Sequence, residues 1–274
     1  MKWLILLASL TSYLWAKPVV LVSYYDAFDK APFNNSEKVA KNLEKLMADH
    51  PSLSIKLCSL ETVFDKSLVQ LESCLDELPA KPLMVLGLGE TGCELKIEMA
   101  VRNMDRTKGP DNDGVERNNS PIIPEAPTHL GLRLPLLQMY CGLSREDRET
   151  IEISHNAGSF VCNNTAYQIT YRYPELNSGF VHVPGHDCRQ REKKNKEVVR
   201  KIYQMIVRGA EFLQTEETTP YPHSQNLSRQ PVTKNELNYF RNNGLSGRDK
   251  CEQEFFKRAR GVDEKSFWSF LKTN

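Results

Sequence analysis

Residues 18–25, PVVLVSYY, form a mostly apolar run rich in β-branched and aromatic side chains. That is the composition of a strand buried on both faces. A run of a second kind follows. Within 36–50, Val39, Leu43 and Leu46 recur at helical spacing behind a serine cap, which predicts an amphipathic helix. The two kinds then alternate. LSIKLCSL (53–60) reads as a strand, SLVQLESCLDEL (67–78) as a helix, and PLMVLGLG (82–89) as another buried strand ending in glycines. IEISHNAG (151–158) predicts a strand entering a turn, with TAYQITYRY (165–173) as the helix behind it. GFVHVPG (179–185) predicts a strand broken by Pro-Gly, and 196–213 a helix with Val199, Ile202, Ile206 and Leu213 on one face. Strands alternating with helices imply an α/β fold, a mostly parallel twisted sheet with helices on both sides. In such sheets, sites gather at the carboxyl ends of the strands.

The pattern fades at both ends. Residues 214–232 are polar and proline-containing, as in a linker. Residues 233–274 carry signals for three short helices. Thr233 and Glu236 stand at capping-box spacing, Ser246 leads into a helix ending near Gly261, and Phe267, Phe270 and Leu271 share one face. A tail of about 42 residues buries little core alone. This small helical C-terminal extension is therefore expected to dock on the main domain, residues 17–213, with Cys251 as a clip. Residues 1–16, MKWLILLASLTSYLWA, hold one lysine, an apolar stretch and a small residue at Ala16. They predict a signal peptide cleaved near Ala16. The apolar run is short for a membrane-spanning helix, so the chain is expected to be exported, secreted or periplasmic, with no stable membrane anchor.

Composition changes this picture little. The 274 residues are 40% hydrophobic and 26% charged, as in ordinary globular proteins. Thirty-six basic residues against 35 acidic leave a net charge of +1. No global field points to nucleic acid or an anionic membrane. The basic run RQREKKNK (189–196) reads as the solvated entrance of a helix. The cysteines change more. There are seven, Cys58, Cys74, Cys93, Cys141, Cys162, Cys188 and Cys251. In an oxidising compartment most pair, and an odd number leaves at least one over. Six paired and one free is the simplest solution. Cys162 stands where a helix begins after an Ala-Gly-Ser turn, and the positive end of the helix dipole there favours a thiolate. Read alone, a cysteine is more often a buried thiol or half of a cystine than a nucleophile.

Cys162, His182 near a strand end and Glu98 are the parts of a thiol-hydrolase triad. A base takes the thiol proton, and a carboxylate holds the imidazole in the right tautomer. A metal site is a rival reading, because His182, His186, Asp187 and Cys188 lie close together. Pro184 and Gly185 oppose the helix that would bring the two histidines onto one face. Asn34, Asn118, Asn163 and Asn226 begin N-x-Ser/Thr patterns.

NAGSFVCN, PDNDG (110–114), GFVHVP, IEMAVRN and the opening LVSYYDAFDKAPFNNS together resemble the pyroglutamyl-peptidase I family, the C15 cysteine peptidases. The resemblance covers roughly 18–213. It implies a three-layer α/β/α sandwich, in agreement with the pattern above. It also implies removal of N-terminal pyroglutamate from peptides through a thioester, with no cofactor or metal. Cys162 then matches the nucleophile, His182 the general base and acid, and Glu98 the orienting carboxylate. Tyr25 and Phe28 match aromatic positions of the pyroglutamyl pocket, and Asn34 an asparagine that contacts the lactam. Leu88 falls where the family has glutamine, leaving only a backbone contact. Lys108 falls where it has an arginine near the oxyanion site. GLGETGCE departs from the family's Gln-Ala-Gly-Gly-Arg loop. The implied partners are peptides beginning with pyroglutamate; the family often forms oligomers. A catalytically silent relative that only binds such peptides is the alternative.

Overall fold

The computed structural model describes residues 17–107, 109–216, 250, 251, 254, 255 and 258. The predicted signal peptide, Lys108, most of the linker and most of the tail lie outside the described residues. In chain order the elements are β1 (Val19–Tyr25), α1 (Asn35–Met47), β2 (Ser54–Leu60), α2 (Phe64–Asp76), β3 (Met84–Glu90), β4 (Leu95–Glu98), β5 (Ala100–Arg102) and β6 (Asp105–Arg106). There follow β7 (Asn118–Ser120), β8 (His129–Gly131), α3 (Leu136–Cys141), α4 (Arg145–Glu149), β9 (Ile151–Ser154), α5 (Val161–Arg172), β10 (Ser178–Val183) and α6 (Arg191–Glu216).

Six strands form the central sheet in the order β2-β1-β3-β10-β4-β9. All its pairs are parallel except β10 with β4. Side-chain alternation along the strands sorts the residues into two cores. Val20 and Val22 of β1, Leu86 and Leu88 of β3, and Val181 and Val183 of β10 pack with Val39 and Leu43 of α1 and Ile202 and Ile206 of α6. Leu21 and Tyr25, Val85 and Phe180 point the other way, among Phe64 and Leu68 of α2 and Val161 and Ile169 of α5. The result is an α/β/α sandwich.

The elements predicted between residues 18 and 213 form, with adjusted ends, whereas the helices expected around Thr233 and around Phe267 to Leu271 lie outside the described residues. α1 is capped by Asn34 rather than Ser36: the Asn34 Oδ1 accepts from the Ser36 backbone N–H at 3.0 Å. α6 begins within the basic run and continues to Glu216, so residues 214–216 are helical rather than linker. The four short strands β5 to β8 carry no periodic signal long enough to predict them. Among the described residues, no helix is long and apolar enough to cross a membrane.

Cysteine parity resolves as expected. Disulfides join Cys58 to Cys74, Cys93 to Cys188 and Cys141 to Cys251, and Cys162 is free. The third bond ties the tail to α3. Residues 250, 251, 254, 255 and 258 are helical. Phe255 is buried against Tyr140, ring centroids 5.3 Å apart, and Glu254 pairs with Arg148. This disulfide closes a separation of 110 residues. Cross-links over long loops restrict the unfolded chain most. Replacing Cys141 and Cys251 together by serine is expected to lower unfolding free energy by about 2–5 kcal/mol in denaturant titration, with the sandwich retained.

Candidate active site

β10 brings His182 to the carboxyl end of the sheet, beside Gly89 of β3 and Lys96 of the antiparallel β4. The antiparallel pairing puts Glu98, the last residue of β4, opposite Phe180. From there its Oε1 lies 2.7 Å from His182 Nδ1. Both side chains are buried, at 8% and 1% exposure. The other oxygen, Glu98 Oε2, has no hydrogen-bond partner among the described residues. A carboxylate out of water with one partner holds that partner firmly. Phe180 meets the imidazole edge-on, centroids 4.9 Å apart, and fixes its tilt.

Cys162 is the second residue of α5. The chain reaches it through a turn in which Gly158 takes φ +84°, a conformation that glycine adopts without penalty. The N-cap residue, Phe160, gives no side-chain acceptor to the first turn. A helix start leaves its first backbone N–H groups without partners inside the helix. Gly89 lies between Cys162 and His182: a Cβ placed there would stand 3.0 Å from Cys162 Sγ and 3.2 Å from His182 Cδ2. Sulfur and imidazole edge are thus at most about 6 Å apart.

Electrostatics sets the resting state. Desolvation pushes the Cys162 thiol up to about 12; its own backbone N–H opposes this, and the Glu90 and Glu98 carboxylates add to it. The free protein therefore holds a protonated thiol at neutral pH, and attack requires a base. Because the raised value delays ionisation, alkylation of native Cys162 by iodoacetamide is expected to accelerate with pH beyond 9 without levelling off. A rate already level below pH 7 would show a preformed thiolate instead.

The expected binding residues divide. Tyr25 is buried at the end of β1. Burial holds its hydroxyl well above the usual range; the nearby Cys162 charge adds to this and a hydrogen bond with Thr165 opposes it. Phe28 packs on Phe160, centroids 4.8 Å apart, and Phe160 meets Phe64 edge-on at 5.4 Å. A cavity of about 700 Å³ opens beside this pair, bordered by Arg106, Pro110, Asp111 and Ser159. Asn34 is buried, its Oδ1 engaged by Ser36. The side chain of Leu88 points into the opposite core, with the α1 and α6 residues, so only its backbone faces the site. Lys108 lies outside the described residues. Phe160 was the residue missed by sequence reasoning; an aromatic two positions before the nucleophile, inside NAGSFVCN, was the available signal.

Three side chains of the metal reading have other partners. His186 Nδ1 sits 2.6 Å from Glu90 Oε1, while His182 is held by Glu98. Cys188 is spent in a disulfide with Cys93. Among the described residues no three His, Cys, Asp or Glu side chains are grouped to hold a metal ion. Of the N-x-Ser/Thr asparagines, Asn163 is buried and bonded to the backbone of Arg102 and Met104, Asn34 is buried as described, and Asn118 is exposed. Asn226 lies outside the described residues.

A parallel-sheet sandwich with a thiol at a helix start and a carboxylate-bound imidazole across from it defines a class of hydrolase. The pyroglutamyl peptidase family model, C15, matches residues 18–215, and the chain belongs to that family. The pyrrolidone-carboxylate peptidase of Yersinia pestis (strain Pestoides F) is 31% identical over 171 residues, 60% of this chain and 77% of that one. Among solved structures, pyroglutamyl peptidase I from Bacillus amyloliquefaciens superposes with a TM-score of 0.61 at 23% identity, over 71% of this chain and 96% of the other. Pyrrolidone carboxyl peptidase from Thermococcus litoralis also gives 0.61, at 19% identity over 73% and 96%. The E192I mutant from Pyrococcus furiosus gives 0.59, at 24% over 71% and 99%. These likenesses show the same mostly parallel sheet flanked by helices.

Proposed function

We propose that this member of the family is a cysteine peptidase that removes pyroglutamate from peptide N-termini by acyl transfer. The observation that carries the reading is the pairing pattern of the cysteines: six are in disulfides, and the seventh faces a buried His–Glu pair. Cys162 Sγ attacks the carbonyl between pyroglutamate and the next residue as His182 takes its proton. His182 then gives that proton to the leaving amine, and the C–N bond breaks. Water, deprotonated by His182, cleaves the thioester and releases pyroglutamate. Glu98 keeps the imidazole proton on Nδ1, so that Nε2 is free to accept. Open backbone N–H groups at the start of α5 stabilise the oxyanion; one such donor is typically worth about 3 kcal/mol.

Pyroglutamate has no ammonium group, so a pocket of aromatic faces with an amide partner suits it. Tyr25, Phe28 and Phe160 supply the rings and Asn34 the amide. Export is part of the proposal, supported by the three disulfides. The alternative, a silent relative, draws on the altered GLGETGCE loop. Incubating the protein with a fluorogenic pyroglutamyl amide separates the two: turnover supports the peptidase, and its absence supports the silent relative.

A further inference from the structure

That altered loop places Glu90 at the end of β3, where its two carboxylate oxygens join separate parts of the site. Oε2 accepts from the backbone N–H of Asn35 at 2.5 Å, and Oε1 lies 2.6 Å from His186 Nδ1. Asn35 opens α1 directly after Asn34, so its N–H is one of the donors that a helix start leaves without an internal partner. A carboxylate there is favoured by both hydrogen bonding and the helix dipole.

The same point is held from other sides. The Asn35 side chain donates to the Pro184 carbonyl at 2.6 Å and exchanges amide bonds with Asn195 of α6, 2.8 Å each way. Phe33, just before Asn34, lies under Lys38 Nζ at 3.6 Å and the Arg191 guanidinium at 4.6 Å. Arg191 in turn donates to the His186 carbonyl. Three segments thus meet at Glu90: the start of α1 with Asn34, the end of β3, and the residues that follow His182.

We propose that Glu90 is a positioning residue of the site, fastening the start of α1, and with it Asn34, against the segment after His182. The proposal rests on the peptidase reading for its kinetic consequence. His182 is already fixed by the β10 ladder with β3 and β4. Asn34 stands on a loop and a helix start, without a ladder. Loss of Glu90 therefore acts on substrate binding through Asn34 more than on proton transfer at His182.

The test compares Glu90→Ala and Glu90→Gln with wild type on a fluorogenic pyroglutamyl amide. Glu90→Ala is expected to raise KM about tenfold and change kcat by less than about threefold. Glu90→Gln is expected to restore KM, because its oxygen accepts from Asn35 and its amide donates to His186. An unchanged KM in Glu90→Ala, or a Gln variant as impaired as the Ala variant, overturns the proposal. If Glu90→Ala does not fold, His186→Ala cuts the same tether from its half-buried end. A KM rise of about threefold is then expected, and an unchanged KM overturns the proposal. Hydrogen exchange at the Asn35 amide needs no activity. Faster exchange in the Ala variant supports the positioning role even if wild type turns nothing over, which would sink only the peptidase reading. Equal exchange overturns the role.

Discussion

Cys162→Ala is expected to abolish turnover of a pyroglutamyl amide and leave the fold intact. In the proposed mechanism the sulfur is the attacking atom, and no second cysteine can stand in, since the other six are in disulfides. Loss of a nucleophile that acts as a unit with its base costs about 10⁶ in kcat in a well-studied serine peptidase, subtilisin. The substitution removes one atom from a half-buried position, so thermal unfolding should move by no more than a few degrees. Turnover surviving the alanine would reject the assignment of the nucleophile.

Glu98→Gln is the second large expected loss, about 10²–10⁴ in kcat with little change in KM. The reason is the direction of one proton. In the proposed mechanism, the carboxylate accepts from Nδ1–H and leaves Nε2 to receive the thiol proton. A glutamine that presents its amide N–H to Nδ1 holds the opposite tautomer, with the proton on Nε2, where it cannot take another. The pair is buried, so water does not substitute for the lost acceptor. A resting thiol pushed up to about 12 makes the base indispensable. A Gln variant with native kcat would mean that His182 is not the group that deprotonates the sulfur.

Much of the architecture was legible because its signals are local. Periods of 3.6 and runs of β-branched residues marked five of the six central strands and the longer helices, and the parity of seven cysteines pointed to one free thiol. What escaped depended on partners far away in sequence. β4 is four residues long and antiparallel, and its position follows from β10, some 84 residues on. Nothing in the pattern around Glu98 signals burial, yet it is among the most buried carboxylates. The direction of Leu88 could not be read from an unbroken apolar run, which has no polar face to orient it. Its side chain belongs to the core on the other side of the sheet. Glu90 is the opposite case. It read as a departure from the family loop, and its role emerges only when the start of α1 and the segment after His182 are brought to it.

The most direct measurement of the central claim is mass spectrometry of the intact protein, acid-quenched during turnover of a pyroglutamyl amide. The account predicts a species heavier by one pyroglutamyl acyl group, carried on the peptide that contains Cys162, lost on longer incubation and absent from Cys162→Ala. Turnover with no acyl adduct, or an adduct mapped to any other residue, would contradict it.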